Sequence, residues 1–131
     1  MMEKSISKSR FYAAPIDRVW SAITDADALS QWFMEADFES TVGYRFTFKD
    51  TPQGKWDGIL IGEVLAVDEP HLLEYTWKGN QMKHITTVRW SLEQQVGGTK
   101  VSLSHTGFKG FSDVVVGLFH QFGWNNTAQY P

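Results

Sequence analysis

Four histidines, His71, His84, His105 and His120, are the residues of this 131-residue chain best suited to proton transfer or metal ligation. A metal site on one helix face needs histidines four apart, with a carboxylate or cysteine to complete the set. No two of these histidines have that spacing and the chain has no cysteine, so no metal site, thiolate nucleophile or disulfide framework is expected. His105 stands apart, because strand alternation puts it on the same face as Val101 and Leu103, turned inward. It reads first as a core histidine held by hydrogen bonds and second as a polar anchor at a cavity mouth. Glu63, Glu74 and Arg89 also fall within strand-like segments. Turned inward they would make an acid–base pair or a clamp for a polar head group. Turned outward they would form cross-strand ion pairs worth less than ~1 kcal/mol, which is the favoured reading. No serine sits in a nucleophile turn and no glycine-rich phosphate loop occurs, so no catalytic residue and no cofactor are assigned.

The elements that would position these residues follow from periodicity. Ile6 to Tyr12 reads as a strand, stopped by Ala13-Ala14-Pro15. Pro15 suits the start of a helix, and Ile16, Val19, Trp20 and Ile23 form one apolar helical stripe. Thr24-Asp25 interrupts it and offers a cap to a second short helix with Ala28, Leu29, Trp32 and Phe33 on its apolar face. From residue 44 the period becomes two. Strands are expected at 44–49, at 56–67 with a bulge, a bend or the close approach of another group at Gly58 or Gly62, at 72–77, at 86–93 and at 100–106. A final helix is expected from Phe111, with Val114, Val115, Leu118, Phe119 and Phe122 on one face. Hairpin-length links imply an antiparallel sheet, and one long helix is available to cover its apolar face. The predicted architecture is α+β: a curved antiparallel sheet wrapped around a C-terminal helix, with two short helices after the first strand. No repeat, linker or low-complexity tract divides residues 1–131, which read as a single domain.

Composition narrows the function classes. The net charge is −3 with no basic run, so nucleic acid is not an expected partner. There is no apolar leader and no stretch long enough to span a bilayer, which points to a cytoplasmic protein without a membrane span. Aromatic residues make up 15% of the chain, enough to supply both a core and the walls of a pocket.

Several segments in order carry a family likeness. They are Ala14-Pro15-Ile16-Asp17-Arg18-Val19-Trp20, Leu29-Ser30-Gln31-Trp32-Phe33, Val42-Gly43-Tyr44-Arg45-Phe46, Gly58-Ile59-Leu60-Ile61-Gly62-Glu63-Val64, Leu73-Glu74-Tyr75-Thr76-Trp77, Gly98-Thr99-Lys100-Val101 and His105-Thr106-Gly107-Phe108. With them the chain resembles the SRPBCC or START-like helix-grip superfamily, to which the birch pollen allergen fold belongs. Within it, the chain is most similar to bacterial proteins like the C-terminal domain of the heat-shock-protein-90 ATPase activator. The resemblance implies the helix-grip fold and a cavity between sheet and long helix. It implies three kinds of activity: non-enzymatic binding of a lipid, polyketide or flavonoid-like molecule; docking on a chaperone as a co-chaperone does in a stress response; or a cyclase or hydrolase reaction. Binding of an apolar small molecule is the leading expectation.

The residues expected to line such a cavity are Phe33, Phe46, Phe48, Trp77, Val88, Trp90 and His105, with Val115, Phe119 and Phe122 on the opposing helix. Each of them is also an ordinary core position. Gly123-Trp124 matches a pair common in the family's last helix, but the seven residues after it, Asn125 to Pro131, carry no apolar stripe. A sheet flank left uncovered there predicts a homodimer whose interface includes Trp124 and Tyr130.

Overall fold

A computed structural model of the chain describes residues 4–80, 82 and 84–108. The helix expected from Phe111, with Val115, Phe119 and Phe122, and the dimer contact expected near Trp124 and Tyr130 lie outside the described residues. The elements run β1 (Lys4–Tyr12), α1 (Ile16–Thr24), α2 (Ala26–Trp32), β2 (Glu35–Ala36), β3 (Arg45–Lys49), β4 (Ile59–Asp68), β5 (Leu72–Gly79), β6 (Thr86–Gln95) and β7 (Gly98–Phe108). The strands form one antiparallel sheet in the order β1-β7-β6-β5-β4-β3-β2. β1 and β2 thus lie on opposite edges, and the two helices carry the chain across from one edge to the other. The sheet is curled, and the arrangement is that of the helix-grip α+β fold.

Alternation decides what each strand turns inward. Along β6, Thr86, Val88, Trp90 and Leu92 are buried, while Arg89 and Glu93 are exposed. Along β3, Phe46 and Phe48 are buried between exposed Arg45 and Lys49. Pro15 begins α1: its carbonyl oxygen accepts from the amides of Arg18 and Val19 at 3.1 Å. Val19, Trp20, Ala22 and Ile23 are then the buried face of that helix. Asp25 closes α1, its N–H donating to the Ser21 carbonyl oxygen, and opens α2, its carboxylate accepting from the Asp27 amide at 3.3 Å. The indole N–H of Trp32 donates to the Ala22 carbonyl oxygen at 2.8 Å and ties the two helices together.

Three details depart from the sequence reading. The strand expected from residue 56 begins at Ile59, because Trp56 is held in a turn by a bridge to Gln53. The two-residue strand β2 was not anticipated, since two residues have no period to read. The bulge occurs between Val64 and Ala66, not at Gly58 or Gly62. Gly58 instead precedes β4 with φ +85, and its carbonyl oxygen accepts from the Asp50 amide at 2.8 Å. Gly62 lies in regular register opposite Phe46.

Candidate ligand-binding site

The concave face of β3, β4 and β5 is an aromatic wall. Phe46 and Phe48 point inward from β3, and Tyr75 and Trp77 point inward from β5. β4 lies between them and contributes Leu60, Gly62 and Val64 on that side, with Val67 packed against the core past the bulge. At Gly62 a β-carbon would run into the Phe46 ring and the Thr76 carbonyl oxygen. The missing side chain lets Phe46 lie over the strand and meet Tyr75 edge-on, with ring centroids 5.0 Å apart. Phe33, from the end of α2, packs edge-on to Phe48 at 5.5 Å and stacked on Trp77 at 6.2 Å. Phe38 joins the same cluster against Phe46 at 5.1 Å and Tyr75 at 5.7 Å.

Polar groups enter this wall at two points. Trp90 donates its indole N–H to the Tyr75 hydroxyl at 3.0 Å. Burial pushes the Tyr75 phenol well above its usual range, so it stays neutral. The second point is His105 on β7. It is fully buried, with its Nε2 2.6 Å from Thr86 Oγ1 and its ring 5.8 Å from that of Trp77. The Thr86 hydroxyl donates its one proton to the Trp77 carbonyl oxygen at 2.9 Å. It can therefore only accept from His105, which fixes the neutral imidazole as the Nε2–H tautomer. Burial lowers the His105 pKa from 6.5 to about 4, consistent with a neutral ring. The indole N–H of Trp77 itself is buried and has no hydrogen-bond partner among the described residues.

Every described residue expected to line the interior is buried there: Phe33, Phe46, Phe48, Trp77, Val88, Trp90 and His105. Phe38, Tyr75 and Thr86 belong with them and were not singled out by sequence. Thr86 carried a usable signal, since it shares the inward parity of Val88 and Trp90. Phe38 carried none, because it lies outside any periodic segment. Glu63, Glu74 and Arg89 face outward, where Arg89 pairs with Glu74 at 3.6 Å and Glu63 with Arg45 at 3.8 Å. The described interior thus contains donors and one neutral imidazole but no carboxylate and no cation. Among the described residues no group of three or more His, Asp or Glu side chains is placed to hold a metal ion. No helix among them is long and apolar enough to cross a membrane.

Residues 13–129 match the family described as activator of Hsp90 ATPase homolog 1-like proteins. The chain belongs to this family. Solved structures share its fold. Protein MLL2253 from Mesorhizobium loti is 28% identical, with a TM-score of 0.74 over 92% of this chain and 88% of that one. CalU16 from Micromonospora echinospora is 27% identical, with a TM-score of 0.69 over 93% of this chain and 69% of that one. An HSP90 activator from Plasmodium falciparum is 22% identical, with a TM-score of 0.71 over 92% of this chain and 87% of that one, a likeness of fold. No curated protein matches the sequence.

Proposed function

We propose that the chain binds an apolar small molecule of the lipid, polyketide or flavonoid-like kind against the concave face of its sheet. The observation that carries this reading is the aromatic wall formed by Phe46, Phe48, Tyr75 and Trp77, closed by Phe33 and Phe38. Rings of this kind offer large apolar area with few rotatable bonds, so a guest gains contact at little entropic cost. Val88, Trp90 and His105 continue the wall across β6 and β7. Binding is favoured over a cyclase or hydrolase reaction because the carboxylates and the arginine that could pair for acid–base work are turned to the outside. Titrating a panel of neutral lipophilic compounds while following intrinsic tryptophan fluorescence tests the proposal. Saturable quenching or a blue shift with a matching rise in Tm is the expected result. No saturable change across the panel would refute it.

A second reading, docking on a chaperone of the Hsp90 type, has an observation of its own. On the outer face, Ile61 and Ile85 are 53% and 62% exposed and border a groove of about 410 Å³ with Arg45, Glu63 and Lys78 at its margin. Apolar side chains rimmed by charge are how transient protein contacts are built. Stimulation of the ATPase of a purified Hsp90-type chaperone, lost in an Ile61→Glu, Ile85→Glu double variant, would support this reading. Absence of any stimulation would end it.

A further inference from the structure

The interior has an indole donor whose need its described surroundings do not meet. Trp77 is fully buried, and its indole N–H has no hydrogen-bond partner among the described residues. An unsatisfied N–H in a dry interior is costly, and an orphaned donor of this kind calls for an explanation. The other buried indole nearby, Trp90, is served by the Tyr75 hydroxyl, so the chain meets the same need where it supplies both partners. Trp77 is also in the middle of the wall: it stacks with Phe33 and with Tyr75 and lies edge-on to Phe48 and His105. A guest seated on those rings would lie within the neighbourhood of this N–H.

The charge of the interior restricts what can accept from it. The buried polar residues among those described are Thr86, Thr99 and His105, with no lysine, arginine, aspartate or glutamate. A carboxylate or phosphate brought there would leave water without meeting a cation among the described residues, and burying it without charge compensation is prohibitive. We infer that the ligand carries a neutral hydrogen-bond acceptor, a ketone, quinone, ester or ether oxygen, that takes the Trp77 indole N–H, and that the site rejects the ionised form of otherwise similar molecules. This inference rests on the interior-binding reading and adds the chemical class of the head group to it. Trp77 then selects among apolar guests, and the phenylalanine rings provide area without discrimination. The neutral His105 ring beside Trp77 supports the exclusion of anions, since it offers no positive charge near neutral pH.

Three naphthalenes of nearly equal size separate the terms: one substituted with an acetyl group, one with an ethyl group and one with a carboxylate. Binding of each to the full chain is measured by calorimetry at pH 7.5, and then to Trp77→Phe, which keeps an aromatic ring and removes the N–H. The acetyl compound is expected to bind roughly three- to tenfold more tightly than the ethyl compound, the value of one hydrogen bond, and the carboxylate most weakly. In Trp77→Phe both compounds lose the contact area of the larger ring, and the acetyl compound should lose its advantage over the ethyl compound. Equal binding of the acetyl and ethyl compounds to the unaltered chain would overturn the inference and leave interior binding intact, and tightest binding of the carboxylate would do the same. Binding of none of the three would overturn the interior-binding reading and the inference with it. If Trp77→Phe does not fold, the Trp77 indole N–H resonance of the unaltered chain gives the same reading: the acetyl compound should shift it downfield and the ethyl compound should not, and an unshifted resonance with the acetyl compound bound would overturn the inference.

Discussion

His105 Nε2 and Thr86 Oγ1 lie 2.6 Å apart in the interior, and the direction of that hydrogen bond is set by a third group, the Trp77 carbonyl oxygen that takes the threonine proton. The relay joins β7, β6 and β5 through side chains, in addition to the backbone ladder. Thr86→Val keeps the shape and removes both the acceptor for the imidazole N–H and the donor to the carbonyl. It is expected to destabilise the fold by about 1–3 kcal/mol, the cost of leaving a buried donor unmet. Thr86→Ser keeps the hydroxyl and should lose little beyond the methyl contact. Denaturant midpoints of the two variants measure the difference directly.

The same imidazole makes stability depend on pH. Its folded-state pKa is about 4 against an ordinary 6.5, because burial opposes the charged form. Between those values the unfolded chain binds a proton that the folded chain does not, so the contribution is complete above about pH 6.5 and is lost as pH falls toward 4. Its full size is about 3 kcal/mol, from the pKa difference at 1.36 kcal/mol per unit. Unfolding free energies measured from pH 7.5 down to pH 4 should fall accordingly, and His105→Gln should flatten that part of the profile. An unchanged slope in the variant would show that another group carries the dependence.

How much of this was legible in the sequence depends on whether a residue belongs to a periodic segment. The inward face of β6 and of β3, and the placement of His105 beside Val101 and Leu103, follow from alternation alone, because a half-buried strand has one dry side. The break at Asp25 was legible because a carboxylate that serves an N-terminus is poorly placed inside a helix. The bulge near Leu65 was not, because Leu65-Ala66-Val67 is apolar throughout and shows no preference for either face. Trp77 could be assigned to the wall from parity, but its unmet N–H could not. That property depends on which groups other strands bring near the indole, and only the assembled register decides it.

Gly62 tests the construction of the wall. A methyl at this position would meet the Phe46 ring and the Thr76 carbonyl oxygen, and the carbonyl belongs to the neighbouring strand's backbone and cannot swing away. Gly62→Ala is therefore expected to cost about 1–3 kcal/mol through overpacking, against the mild gain alanine usually brings to an extended segment. Ligand affinity should fall as well, since Phe46 must leave its place against Tyr75. A Tm equal to that of the unaltered chain would show that the sheet relaxes freely at this point.

Asp25 tests the way the helices close the end of the sheet. It terminates α1 and caps α2, and α2 has only seven residues, too few to be stable by propensity alone. Its carbonyl oxygen also accepts from the Leu29 amide at 2.9 Å, and the Phe33 amide donates to Leu29 one turn later at 2.8 Å. Phe33, the residue that ends this helix, reaches the interior and stacks on Trp77. Asp25→Ala removes the side-chain acceptor and is expected to weaken α2 by about 0.5–2 kcal/mol, whereas Asp25→Asn retains a capping oxygen and should recover most of that. The loss should be local, because the β5–β6–β7 ladder does not depend on this cap. Hydrogen exchange reads it residue by residue. In Asp25→Ala the Leu29 and Phe33 amides should exchange roughly two- to thirtyfold faster, the equivalent of that free energy, while the Val88 and Leu103 amides stay unchanged. Acceleration of all four together would mean that the helices and the sheet open as one unit, and that the cap holds the whole fold and not only the cover over its aromatic wall.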